Sequence, residues 1–141
     1  MSATDTQVDF DLDSALQKTS ARLVLKHPVS GQPTSAWIEI AGPEHPARKA
    51  AVFARMRARR QEMERTGKLT ISDPADDEQD ETALLAACTL GWSLKAGGQA
   101  LAFSADACTA FYADPARAWV RQQVKAALDQ RELFIGSSAT A

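Results

Sequence analysis

Two histidines, two cysteines and one run of acids are the side chains in this sequence best suited to chemistry. His27 and His45 each stand directly before a proline, in segments rich in turn formers. Cys88 and Cys108 lie far outside a Cys-x-x-Cys spacing. A structural zinc site wants about four Cys or His ligands in closely spaced pairs, and this set does not offer them. A serine or cysteine nucleophile needs a positioned base, yet the chain has neither a Gly-x-Ser-x-Gly motif nor a paired Cys/His signature. Gly97-Gly98 is not followed by Gly-Lys-Ser/Thr, so it is no phosphate loop. The acids Asp73, Asp76, Asp77, Glu78, Asp80 and Glu81 lack the ligand order of an EF-hand and read as a solvated stretch. The sequence therefore predicts no catalytic residue, no metal and no cofactor, and a non-enzymatic protein.

Composition agrees with that reading. The chain has 141 residues, 45% hydrophobic and 24% charged, which suits one globular domain able to bury its own core. A net charge of −2 argues against a wholesale nucleic-acid or membrane binder. No run approaches the length of a membrane span, and the polar, acidic start lacks the basic and apolar regions of a signal peptide. A cytosolic protein with reduced, buried thiols is expected.

Charge is nevertheless distributed unevenly. Glu44 to about Thr66 reads as a long helix without interior Gly or Pro, ended by Gly67. It carries Arg48, Lys49, Arg55, Arg57, Arg59, Arg60 and Arg65, with a narrow apolar stripe through Phe53, Met56 and Met63. Clustered arginines suit phosphate, but Glu62 and Glu64 interrupt the cluster and no aromatic interleaves it for base stacking. Electrostatic complementarity is the preferred reading: the acidic linker 72–81 folds over the basic helix, or the helix of one copy meets an acidic surface of another. Nucleic-acid binding is the minority reading. Phe53, Met56, Arg57, Arg60 and Met63, with Trp37 on the hairpin described next, are the predicted partner-binding residues, adaptable in shape because of the methionines.

The elements that must position these side chains follow from periodicity. Residues 1–18 read as a flexible N-terminal arm. A β-hairpin over 21–40 joins the strands Ala21–Lys26 and Trp37–Ile40 across a long turn. A lone hairpin is marginal in water and must pack on helices or on a partner's edge. After the basic helix 44–66, a short extended piece at Lys68–Ile71 and the acidic linker, the part from 81 to 134 reads as helical. One helix there runs to about Leu90 with Gly91 as its stop, and Leu84, Cys88 and Trp92 as its buried stripe. Ser104 caps a short helix. Asp114-Pro115 starts the last helix, which runs to about Leu133. Residues 136–141 read as a flexible tail. The fold class is α+β: a predominantly helical single domain, 19–135, with an N-terminal β-hairpin.

The stretch from about Thr82 to Phe134 also resembles the tail assembly chaperones of long-tailed phages. The resemblance rests on Cys88-Thr89-Leu90-Gly91-Trp92, the turn at Gly97-Gly98, Leu101-Ala102-Phe103-Ser104, Phe111-Tyr112-Ala113-Asp114-Pro115, Trp119-Val120-Arg121-Gln122-Gln123-Val124 and Phe134. It covers a little over a third of the chain, and its motifs are packing and capping residues. It implies a non-enzymatic protein of the host bacterial cytoplasm, absent from the mature virion. Such a protein coats the tape measure protein, recruits major tail protein for tube assembly and self-associates; membranes are not among its partners. A structural or tail-completion virion protein is the alternative of the same origin, and a small nucleic-acid-binding regulator using the basic helix is the other.

Overall fold

A computed structural model describes residues 9–67 and 73–136. They form a mixed α+β domain, 53% helical and 24% strand. Its centre is a three-stranded antiparallel sheet of β2 (Ser20–Lys26), β3 (Pro33–Ala41) and β4 (Thr89–Ser93), in the order β2-β3-β4. A two-residue strand, β1 (Leu16–Gln17), pairs separately with β7 (Ile135–Gly136) and ties the two ends of the described chain together. The helices are α1 (Pro46–Thr66), α2 (Pro74–Ala87), α3 (Ala105–Ala113) and α4 (Ala118–Leu128). Between α2 and α3, β5 (Lys95–Ala96) and β6 (Gln99–Ala100) make a small hairpin. Its turn glycines Gly97 and Gly98 both have positive φ, 61° and 77°, as a tight two-residue hairpin turn demands.

The predicted hairpin is present and longer than its apolar residues suggested. Ala21, Leu23, Ile38 and Ile40 share the inner face by period-two alternation, and Arg22, Val24, Trp37 and Glu39 share the outer. The ladder shifts register between Val24 and Lys26, where Thr34 Oγ1 donates to the Leu25 carbonyl at 2.7 Å. The hairpin is not left alone. β4 adds a third strand, with Trp92 opposite Ile38, and α2, α3 and α4 pack together on the inner face. That two-layer arrangement buries what a hairpin by itself cannot.

β4 corrects the sequence reading. The helix expected to run to Leu90 stops at Ala87, Cys88 is its cap, and Gly91 lies inside a strand instead of ending a helix. Local pattern allowed both states, but the open edge of β3 offered ladder hydrogen bonds that a further helical turn would forfeit. Cys88 and Trp92 are still buried and Leu84 is half-buried, each from a different part of the helix–strand junction. The last helix is likewise shorter than expected. Asp114 caps a 3₁₀ turn, Pro115–Arg117, α4 ends at Leu128, and a further 3₁₀ turn, Arg131–Phe134, delivers Phe134 to the core. The reading of 1–18 as a flexible arm fails at Leu16–Gln17, which are strand-paired, and at Lys18, whose N–H donates to the Phe134 carbonyl at 2.7 Å. Gly136, expected to open the flexible tail, is instead paired with Leu16. Lys68–Ile71, residues 1–8 and residues 137–141 lie outside the described residues.

The core is aromatic and well satisfied. Trp92 meets Phe103 edge-on at 4.9 Å and Phe111 at 5.1 Å, and its Nε1 donates to the Leu101 carbonyl at 2.9 Å. Burying an indole with its N–H paired keeps the apolar gain without an orphan donor. Thr89 Oγ1 donates to the Leu85 carbonyl at 2.8 Å. A hydroxyl has one proton, so at the 2.8 Å contact between Thr89 Oγ1 and the Tyr112 hydroxyl the tyrosine is the donor. Cys88 and Cys108 are free and buried. Burial pushes both thiols up, Cys108 to about 11, and pushes the Tyr112 hydroxyl up as well. These are inert core groups.

Candidate partner-binding surface

α1 is a helix for local reasons. His45 Nδ1 accepts from the Ala47 N–H at 3.0 Å, Pro46 takes the first helical position, and Gly67 closes the far end at φ 70° with its N–H on the Met63 carbonyl. Ala, Arg, Met, Glu and Gln fill most of the interior, all strong helix formers. At 1.5 Å per residue it is about 31 Å long, yet none of its 21 residues is buried.

One arginine secures it to the domain. Arg48 Nη1 donates to the Ala41 carbonyl at 3.0 Å and Nη2 to the Leu128 carbonyl at 2.9 Å. The same guanidinium thereby ties α1 to the end of β3 and places positive charge at the C-terminus of α4. Arg48, Ala51, Val52 and Arg55 are all half-buried and form the inward line of the helix. Arg48 is therefore a structural residue and not part of a basic binding face.

The predicted stripe lies to one side. Phe53, Met56, Arg57, Arg60 and Met63 recur at helical spacing on an exposed flank beside that inward line. Phe53 is 51% exposed, Met56 60% and Met63 44%. Among the described residues Arg57, Arg59 and Arg60 take part in no ion pair, whereas Lys49 pairs with Glu44 at 2.7 Å and Arg65 with Glu62 at 2.6 Å. The Arg65 hydrogen bond holds the Glu62 carboxyl below its ordinary value.

Trp37 has a separate set of neighbours. It sits on the outer face of the sheet, opposite Val24 on β2 and Ser93 on β4. The Arg22 guanidinium covers its ring at 3.9 Å and also reaches Glu39 at 3.3 Å. This cation–π contact occupies one side of the ring.

The acidic linker is not a linker. Asp73 caps α2 through the Ala75 N–H at 2.9 Å, Pro74 takes the first helical position, and 74–81 form the first two turns. The signal was Asp-Pro, the same pair that marks the start after Asp114. Nor does the acidic run fold over the basic helix by ion pairing. α1 and α2 contact each other, but the acids that find partners turn to α4. Glu78 meets Arg121 at 3.4 Å and Glu81 meets Lys125 at 2.7 Å. The Glu81 hydrogen bond holds the Lys125 ammonium above its ordinary value. These pairs bridge an open groove of about 530 Å³ between α2 and α4. Asp76, Asp77 and Asp80 are exposed and make no ion pair among the described residues. With Asp73 they fall at i, i+3, i+4 and i+7, one outward face that the sequence reading missed by treating the run as irregular.

His27 and His45 both serve local backbone. His27 Nδ1 accepts from Val29 and Ser30, as His45 Nδ1 does from Ala47. Among the described residues no three His, Cys, Asp or Glu side chains gather as a metal site, and no helix is long and apolar enough to cross a membrane. No protein-family model, curated protein or solved structure matches the chain.

Proposed function

We propose that the protein is a non-enzymatic tail assembly chaperone of a long-tailed phage or prophage. It binds the tape measure protein in the host cytoplasm, promotes tail tube assembly with major tail protein, and is left out of the finished virion. The resemblance over Thr82–Phe134 motivates the family. The observation that carries the binding role is α1: a 21-residue helix with no buried residue, presenting Phe53, Met56 and Met63 to solvent. A long helical client needs an adaptable apolar face and modest individual contacts that add along its length.

Co-expression with tape measure protein tests this. Phe53→Asp with Met63→Asp is expected to abolish co-purification while leaving the circular dichroism spectrum and melting midpoint in place. Undiminished co-purification overturns the assignment to α1. Finding the protein in purified particles by mass spectrometry would favour the virion-protein alternative. The unpaired Arg57, Arg59 and Arg60 favour a second reading, contact with nucleic-acid phosphates. A gel shift that weakens steeply with salt is its signature, and no shift at low salt dismisses it.

A further inference from the structure

We propose that α1 and α2 form a self-complementary surface by which two copies of this chain dimerise, the basic stripe of each α1 lying against the acidic stripe of the other copy's α2. Three observations lead there. The segment 46–66 carries seven basic and two acidic residues, and 73–81 carries six acidic and none basic. Both outward faces are exposed: Phe53, Met56, Arg57, Arg60 and Met63 on α1, and Asp76, Asp77 and Asp80 on α2. The fold leaves the two unneutralised by each other. Although the helices touch, no ion pair joins them among the described residues, and the acids that do find partners choose α4.

A basic stripe on one exposed helix and an acidic stripe on the helix that touches it suit a two-fold contact. In an isologous interface each surface meets its counterpart twice, basic on acidic and acidic on basic. The chain's net charge of −2 opposes association little. Phe53, Met56 and Met63 would supply the apolar centre and the charges the rim, where they set orientation and rate more than affinity. Two helices are a small footprint beside the roughly 800 Å² per partner of a stable complex. The dimer is therefore weak and salt-sensitive, with a dissociation constant on the order of 10–100 µM.

The inference does not rest on the tape-measure reading, because it is read on the purified chain alone. Sedimentation across concentration is expected to show a monomer–dimer equilibrium that weakens about tenfold or more between low and high salt, as screening shortens the reach of the charges. Two variants make the decisive arm: Arg57→Glu/Arg59→Glu/Arg60→Glu, and Asp76→Arg/Asp77→Arg/Asp80→Arg. Each alone brings like charges together and should be monomeric. Mixed one to one, they should dimerise, since acid then faces base at both contacts. A wild type that stays monomeric at about 500 µM, variants that dimerise alone, or a mixture of folded variants that does not associate would each overturn the proposal. If the aspartate variant loses its helical dichroism, Arg57→Gln/Arg59→Gln/Arg60→Gln replaces that arm. It should weaken the wild-type dimer about tenfold, and an unchanged constant counts against the idea equally. Failure of the pull-down with tape measure protein would leave all these outcomes standing.

Discussion

The segment 82–134 and helix α1 use their residues in opposite ways. In the first, Cys88, Trp92, Cys108, Phe111, Tyr112, Val120, Val124, Leu128 and Phe134 are all buried. In the second nothing is buried, and three large apolar side chains stand in solvent. The segment most distinctive in sequence is thus occupied with holding itself together, while the plainer, Ala- and Arg-rich helix is the one with surface to spare. Distinctive residue types mark where packing is demanding.

Breaking the core side of this contrast should give the largest effect. Phe134 is fully buried, and Phe134→Ala should cost about 3–5 kcal/mol, read from a denaturant midpoint, or prevent folding. Arg48→Met comes next. It strips the charged donors from the Ala41 and Leu128 carbonyls and should cost about 2–3 kcal/mol, which would confirm that one arginine of the basic helix belongs to the fold. A loss under about 0.5 kcal/mol would return Arg48 to the surface set. Gly42→Ala follows at about 1–3 kcal/mol. A Cβ there would lie 2.9 Å from the Lys18 carbonyl oxygen and 3.0 Å from Phe134 Cδ1, so either the backbone or the ring must move.

The core contrast also has a pH signature. The folded Cys108 thiol titrates near 11, against 9.0 for an ordinary thiol. Above pH 9 the unfolded chain loses this proton first, so it binds fewer protons than the fold and stability falls as pH rises. The slope should reach about 1.4 kcal/mol per pH unit for this thiol until pH passes about 11. Cys88 and Tyr112, also raised by burial, act in the same direction. Urea midpoints at pH 8 and pH 10 measure the effect, and Cys108→Ala should reduce it. The smallest change is expected on α1: Phe53→Asp and Met63→Asp should shift stability by no more than about 0.5 kcal/mol. A larger loss in a thermal melt would mean that the stripe is covered within the monomer, and would erase the contrast.

Legibility followed locality. The hairpin, the span of α1 with its Gly67 stop, the Ser104 cap and the Asp114 cap were readable because each is signalled within a few residues. The start of α2 carried the same Asp-Pro signal at Asp73-Pro74, but its acidic composition drew the reading toward a linker. Of the candidate surface, the α1 stripe was readable from spacing. The division of the arginines into one clamp, one intrahelical pair and an unpaired group was not.

By itself the sequence determined the α+β class, the apolar stripe of α1 and the uneven placement of charge, because helix period, caps and charge runs are local properties of the chain. The tertiary structure alone decided that Thr89–Ser93 is a strand, that Arg48 reaches across to Leu128, and that Glu78 and Glu81 pair with α4 rather than with α1. Each of these joins residues far apart in the chain. Ladder bonds, carbonyl clamps and ion pairs of that kind exist only once packing has brought both partners to the same place.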